Sequence, residues 1–172
     1  RSNIGIFTFS KENDISELSN IVDSVDFIFH LAGVNRTGNK EEFTKGNEKL
    51  TQELCEAIKK TNRKIPVVFS SSIQSELDNY YGISKNNTEN ILLNFSEDLK
   101  IPVHIFRLPN VFGKWSKPNY NSVVSTFCYN IVRDIPININ NSEAILNLVY
   151  IDDVIKEFIN IMDNLEKRIE TK

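Results

Sequence analysis

Continuous apolar runs separated by longer amphipathic segments are the feature that most constrains the fold of this chain. Three such runs lie at residues 25–32, 65–70 and 101–108, and each is continuous rather than alternating. Continuous runs are typical of strands that are covered on both faces. A weaker fourth run, residues 4–9, opens the chain. We predict one β-strand for each run.

Four segments with apolar residues near a helical period lie between or after these runs, at residues 41–60, 80–98, 120–132 and 152–166. Strands and helices therefore alternate along the chain with short connections. This order requires parallel strands joined by right-handed crossovers, so we predict an α/β fold with a doubly wound parallel sheet.

Composition excludes several function classes. The chain has 172 residues, 40% hydrophobic and 25% charged, which is typical of a globular domain. Its net charge of -3 favours neither nucleic acid nor an anionic membrane. No run approaches the about 18 apolar residues of a membrane span. Cys55 and Cys128 provide neither a disulfide framework nor metal-ligand spacing, so we predict no metal site and a cytoplasmic protein.

The sharpest motif is Tyr81-Gly82-Ile83-Ser84-Lys85. A tyrosine and a lysine four positions apart share one face of a helix. An ammonium group near a phenol favours the phenolate and lowers its pKa, so such a pair can act as a general acid or base. The same spacing also occurs by chance on solvated helix faces.

Other polar or small residues follow the predicted strands, where doubly wound sheets bind their ligands. Residues 70–72 are three serines, and a hydroxyl there can donate a hydrogen bond to a substrate carbonyl. The alternative is a cluster of capping or turn serines. Gly33 leaves room for a flat cofactor beside the backbone, although a plain tight turn also explains it.

Five segments taken in order resemble the extended short-chain dehydrogenase/reductases, which are NAD-dependent epimerase/dehydratase enzymes of nucleotide sugars. These segments are HLAG at 30–33, SSS at 70–72, YxxxK at 81–85, RLPNVFG at 107–113 and VYIDDV at 149–154. Residues 31–36, 70–74 and 109–129 further resemble the CapF-type capsular-polysaccharide enzymes. The resemblance covers essentially the whole chain and implies a Rossmann-like fold.

The resemblance also implies the roles of individual residues. Tyr81, Lys85 and Ser72 would be catalytic, with Ser71 as the alternative serine. The cofactor would contact Ser10, Lys11, Leu31, Ala32, Gly33, Ser70, Tyr81, Lys85 and Pro109. The sugar nucleotide would contact Asn35, Arg36, Asn110, Lys117, Asn121 and Arg133, within and near a substrate-binding region at about 114–150.

The residues after the run at 4–9 indicate which cofactor is preferred. An acidic residue at the end of this strand would bind the ribose 2′-hydroxyl of NAD. Here Ser10 and Lys11 are suited to a 2′-phosphate, which favours NADP over NAD, although Glu12 is adjacent and an ordinary polar loop is the alternative.

The chain departs from the family pattern in one respect. Its glycines, at positions 5, 33, 38, 46, 82 and 113, do not form the glycine-rich loop that holds a dinucleotide pyrophosphate. We therefore interpret residues 1–172 as part of a longer protein, an NAD(P)-binding domain without its first strand, glycine-rich loop and most of the substrate lobe. The resemblance also implies a cupin-like domain outside this chain and a homodimer.

The function implied is NADPH-dependent reduction of a UDP-linked 4-keto-6-deoxy-N-acetylhexosamine for capsular polysaccharide synthesis. One alternative is a nucleotide-sugar epimerase or dehydratase that uses NAD. Ile73 and Gln74 argue against a dehydratase, since an acid pair typically follows the catalytic hydroxyl there. The other alternative is a non-catalytic NADP-binding scaffold or sensor.

Overall fold

Strands β1 (Ile28–His30), β2 (Val67–Ser72) and β3 (Val103–Leu108) form one sheet in the order β1-β2-β3. β1 and β2 are parallel, with Ile28 opposite Val67. Val67, Val68 and Phe69 of β2 are almost completely buried, which explains why this run is continuously apolar. The computed structural model describes residues 4–170, and the side chains of residues 4–165.

The other elements of this region are helices that lie before and between the strands along the chain. They are α1 (Leu18–Asp23), α2 (Lys40–Phe43), a π-helical segment (Thr44–Lys49), α3 (Leu50–Lys60) and α4 (Tyr80–Leu99), with short 3₁₀ helices at Ile15–Glu17 and Ile73–Glu76. The core is formed by apolar residues of α1, α3, β2 and α4, among them Leu54, Ile58, Phe69 and Leu92. Burial of these side chains from water is the main stabilising contribution to such a core.

The weak apolar run at residues 4–9 does not form the predicted strand. Residues 4–10 adopt no regular secondary structure. Only Phe9 packs against the core, and the side chains from Ile4 to Thr8 are exposed. Because these residues bury little apolar surface, the segment lacks the packing that stabilises a half-buried or buried strand.

The chain divides into two units, Arg1–Arg107 and Leu108–Lys172. In the second unit, β4 (Asn110–Phe112) pairs in parallel with β5 (Leu148–Tyr150), and the helices are α5 (Val123–Ile131) and α6 (Ile151–Glu170). Gly113 follows β4 with a φ of +125°. A Cβ at this position would lie 2.6 Å from the Tyr150 ring, so both the backbone and the packing require glycine.

The alternating strands and helices confirm the predicted α/β, Rossmann-like class with parallel sheets. Within residues 4–170, no helix is both long and apolar enough to span a membrane. In the same part of the chain, no group of three or more His, Cys, Asp or Glu side chains is arranged to hold a metal ion.

Candidate active site

The start of α4 packs closely against the 3₁₀ turn that follows β2. A Cβ on Gly82 would lie 2.2 Å from the Gln74 carbonyl oxygen and 2.5 Å from that of Leu77. Only glycine permits this approach. The Asn79 side chain caps the helix by accepting a hydrogen bond of 2.8 Å from the Gly82 N–H. The sequence around Gly82 therefore brings the first turn of α4 to the end of β2.

Ser72 and Tyr81 meet where these two elements touch, close enough for the Ser72 hydroxyl to lower the pKa of the phenol. The Ser72 Oγ also accepts a hydrogen bond of 3.2 Å from the Gln74 N–H. Ser72 thus caps the 3₁₀ turn and contacts the phenol at the same time, so the capping and the functional interpretations are compatible.

The pKa of Tyr81 differs from the expectation that Lys85 lowers it. Burial raises this pKa above its ordinary value, and the nearby Ser72 hydroxyl lowers it by a smaller amount. The Lys85 ammonium group donates instead to the Ser70 carbonyl oxygen, at 2.9 Å. Its Nζ lies 6.0 Å from the centroid of the Tyr81 ring.

Lys85 is itself buried, with 6% of its surface exposed. Its Nζ lies 4.7 Å from the centroid of the Phe69 ring, a cation–π contact that suits a desolvated ammonium group. Burial lowers the pKa of Lys85 to about 8, while the charge of Glu89 acts in the opposite direction. Ser72, Tyr81 and Lys85 together are called the β2–α4 corner below.

Ser71, the alternative catalytic serine, points to a different partner. Its Oγ donates a hydrogen bond to a carboxylate oxygen of Glu89, a buried residue of α4. Glu89 also accepts hydrogen bonds from Arg107 of β3. The structure therefore brings Ser72, and not Ser71, to the Tyr81 phenol.

Asn47 is a buried residue that the sequence interpretation missed. Its Oδ1 accepts a hydrogen bond of 2.7 Å from the Val34 N–H, and its Nδ2 donates to the Val34 carbonyl at 3.1 Å and to Ser84 Oγ at 2.8 Å. Asn47 thus connects the loop after β1 to α4. The available signal was a polar residue on the apolar face of the helical segment, four positions after Phe43.

The predicted cofactor loop lies beside Lys85. Leu31, Ala32 and Gly33 follow β1 and are exposed. A Cβ on Gly33 would lie 2.9 Å from Asn47 Oδ1 and 3.5 Å from Lys85 Nζ. A glycine here keeps the backbone open next to the ammonium group, which fits the predicted passage of a nicotinamide cofactor.

Other predicted contact residues of the first unit lie on exposed segments. Ser10 stabilises a turn, since its N–H donates to Asn13 Oδ1 at 2.9 Å and its Oγ accepts from the Glu12 N–H at 3.3 Å. Lys11 follows in this turn and is exposed, as are Asn35 and Arg36 after β1.

The predicted contacts of the second unit are also largely exposed. Asn110 begins β4, directly after Pro109, and its N–H donates to the Asn147 carbonyl at 3.1 Å. Lys117 and Asn121 lie in the segment between β4 and α5. Arg133 follows α5, where its guanidinium carbon lies 3.9 Å from the centroid of the Tyr129 ring.

The segment after β4 contains one ion pair of the second unit. Lys114 Nζ lies 2.8 Å from Asp152 Oδ2 at the start of α6. The hydrogen bond and the charge of Asp152 raise the pKa of Lys114. Trp115, the next residue, is 99% exposed. The indole therefore lies in solvent.

Comparison with known proteins gives one curated relative with a named activity. The chain is 56% identical over 163 residues to UDP-2-acetamido-2,6-beta-L-arabino-hexul-4-ose reductase of Pseudomonas aeruginosa. The match covers 95% of this chain and 44% of the relative. The chain thus spans less than half the length of this protein.

Solved structures show the same similarity. The capsular polysaccharide assembling protein CapF from Staphylococcus aureus superposes with a TM-score of 0.77 at 40% identity, over 88% of this chain and 41% of that chain. The UDP-glucuronic acid 4-epimerase from Bacillus cereus, solved in complex with NAD, has a TM-score of 0.76 at 21% identity over 88% of this chain and 54% of that one, and shows the fold alone.

A family profile covers nearly the entire sequence. The profile described as NAD dependent epimerase/dehydratase family matches residues 6–171. This match agrees with the resemblance carried by the five sequence segments and with the arrangement of strands and helices. The chain belongs to the NAD dependent epimerase/dehydratase family.

Proposed function

We propose that the full-length protein is an NADPH-dependent reductase of a UDP-linked 4-keto-6-deoxy-N-acetylhexosamine. The observation that carries the chemistry is the Tyr81 phenol, next to the Ser72 hydroxyl and one helical turn before the buried Lys85. The substrate class is supported by the 56% identity to a UDP-2-acetamido-2,6-beta-L-arabino-hexul-4-ose reductase.

The β2–α4 corner is suited to donating a proton to a carbonyl oxygen. Tyr81 is the proton donor, because burial raises its pKa and keeps the phenol protonated until the carbonyl oxygen becomes negative. Ser72 holds the phenol and donates a hydrogen bond to the same oxygen. When bound, the nicotinamide cofactor supplies the hydride for the carbonyl carbon.

Lys85 has two roles in this proposal. With a pKa of about 8, its ammonium group is charged at neutral pH and stabilises the tyrosinate that remains after proton transfer. Its position next to Gly33 also suits a hydrogen bond to the nicotinamide ribose.

The remaining cofactor contacts are proposed along the loop after β1 and the turn at Ser10. We assign Leu31, Ala32, Gly33, Ser70 and Pro109 to the cofactor. The exposed ammonium group of Lys11 and the hydroxyl of Ser10 would donate hydrogen bonds to the 2′-phosphate. This contact gives the preference for NADPH over NADH.

The sugar nucleotide is assigned to exposed polar residues. They are Asn35, Arg36, Asn110, Lys117, Asn121 and Arg133, and the region at about 114–150 supplies three of the six. Cationic side chains among them suit a diphosphate. Synthesis of capsule precursors, a cytoplasmic location and a homodimer remain predictions that accompany this function.

The proposal is tested by incubating the full-length protein with the UDP-linked 4-keto sugar and either NADPH or NADH while the absorbance of the reduced nicotinamide is recorded. We expect NADPH oxidation in proportion to the sugar consumed. Formation of 4-epimers without net cofactor oxidation would instead indicate an epimerase. Cofactor binding without sugar turnover would indicate a scaffold or sensor.

A further inference from the structure

Glu89 is a buried carboxylate of α4 that the proposed reaction does not use. It is 4% exposed and lies one helical turn after Lys85. One carboxylate oxygen, Oε1, accepts from Ser71 Oγ and from Arg107 Nε, the latter at 3.1 Å. The other, Oε2, accepts from Arg107 Nε at 3.1 Å and Nη2 at 2.7 Å. A buried carboxylate is tolerated when it is hydrogen-bonded in this way.

These hydrogen bonds keep Glu89 charged. Burial alone would raise its pKa, but the hydrogen bonds from Arg107 and Ser71 outweigh burial and hold the pKa below its ordinary value. Glu89 is therefore a fixed negative charge at neutral pH. It joins α4 to β3 through Arg107 and to the end of β2 through Ser71.

Arg107 has a second carboxylate partner with a very different environment. Its Nη1 lies 2.7 Å from Glu76 Oε1, whose side chain is 70% exposed, whereas the side chain of Glu89 is 5% exposed. Both carboxylates contact the same guanidinium group. Because solvent screens the charge of Glu76, only that of Glu89 acts strongly on neighbouring buried groups.

The buried group that Glu89 can influence is Lys85. On α4, Tyr81 and Glu89 are the titratable groups on either side of it. From β1, His30 faces it in neutral form, since burial and the charge of Lys85 lower the pKa of His30 to about 4. From β2, the Ser70 carbonyl accepts its hydrogen bond. The negative charge of Glu89 thus counteracts the cost of burying the Lys85 ammonium group.

We propose that Glu89 is a positioning residue: fixed by Arg107 and Ser71, its buried carboxylate supplies a negative charge one helical turn from Lys85 and holds the end of β2 where Ser72 meets Tyr81. This inference rests on the proposed reductase function. It predicts that the carboxylate of Glu89 sets the alkaline limit of the reaction through Lys85, without contacting substrate or cofactor.

The test compares Glu89→Gln with Glu76→Gln in the full-length protein. Both changes replace a carboxylate on Arg107 by an amide of the same size. In Glu89→Gln, the Lys85 pKa should fall, and the alkaline limb of kcat for NADPH-dependent reduction should move by about half a pH unit or more to lower pH. In Glu76→Gln the limb should not move. Glu89→Asp, which retains the charge, should restore most of the wild-type profile.

A second measurement does not depend on the reaction. The Lys85 ¹³Cε resonance, followed against pH in the protein without ligands, should titrate near 8 in the wild type and lower in Glu89→Gln. Glu89→Ala also removes the carboxylate but leaves Arg107 and Ser71 unchanged, so the Lys85 pKa should fall as it does in Glu89→Gln. This variant keeps the test open should Glu89→Gln fail to fold.

The outcomes separate the two proposals. If the wild type does not reduce the keto sugar but the Lys85 resonance responds as expected, the proposed function is wrong and the electrostatic role of Glu89 stands. If the wild type is an active reductase but neither the kcat profile nor the Lys85 titration differs between Glu89→Gln and Glu76→Gln, the positioning role is overturned. An unchanged or higher Lys85 pKa in Glu89→Ala would also overturn it.

Discussion

The β2–α4 corner and the segment at residues 114–121 differ in how firmly the fold holds their side chains. In the corner, Ser72 and Lys85 are buried and hydrogen-bonded to neighbouring backbone groups. In the segment, Lys117 and Asn121 are exposed, and Trp115 is almost fully in solvent. The corner is therefore held in place by the fold itself. We expect changes in the corner to reduce the rate of the chemical step, and changes in the segment to weaken substrate binding.

The largest effect is expected for Tyr81→Phe, which removes only the phenol hydroxyl. Loss of one positioned proton donor should lower kcat for keto-sugar reduction by about 10²–10⁴. Stopped-flow measurement of NADPH consumption checks this. Tyr80→Phe is the matched control, because Tyr80 is the preceding residue and is 57% exposed. Equal turnover in both variants would remove the distinction between the corner and its exposed surroundings.

The serine assignment gives the next largest effect. Ser72→Ala removes the hydroxyl that contacts Tyr81 and should lower kcat by about 10²–10³, as for loss of one donor to the carbonyl oxygen. Ser71→Ala should cost less, because that hydroxyl is bonded to Glu89. Steady-state kinetics of the two variants decides between them. A greater loss of kcat in Ser71→Ala would move the catalytic role by one residue.

Lys11→Ala tests an exposed contact with the cofactor. Loss of a charge-assisted hydrogen bond to the 2′-phosphate should weaken NADPH binding by about tenfold or more, with little effect on NADH. Calorimetric titration of both cofactors provides the measurement, and Lys59→Ala, an exposed lysine of α3, is the control. Equal losses for the two cofactors would exclude Lys11 from the 2′-phosphate site.

The smallest effects are expected in the second unit. Asn110→Ala and Lys117→Ala should each raise KM for the sugar nucleotide by a factor of about 2–5, because an exposed polar contact contributes roughly 1 kcal/mol or less. Their kcat values and NADPH affinities should stay near those of the wild type. A fall in kcat with unchanged KM would show that these residues take part in the chemistry, contrary to the comparison.

The length of the hydrophobic pattern explains which secondary-structure elements could be predicted from the sequence. β2 and α4 were predicted because a continuous apolar run and a 20-residue helix leave clear patterns. β4 and β5 have three residues each, too few for a pattern, and they are defined by pairing with each other. The strand predicted at residues 4–9 is wrong because most of this apolar run is exposed, so packing does not stabilise it as a strand.

The residues of the candidate site were also predictable only in part. Tyr81, Lys85 and Ser72 were predicted because their spacing repeats a family motif. Asn47 and Glu89 were not, because their importance depends on partners 13 to 37 positions away, such as Val34, Ser84 and Arg107. A polar residue in a helical pattern reveals such a partner only once the tertiary packing is known.

The most direct test of the reductase proposal follows the hydride itself. The full-length protein is incubated with the UDP-linked 4-keto sugar and NADPH that carries two deuterium atoms at nicotinamide C4, and the product is analysed by NMR and mass spectrometry. The proposal predicts one deuterium at C4 of the sugar and one oxidised cofactor for each product molecule. Conversion of the sugar without deuterium at C4, or without net oxidation of NADPH, would contradict it.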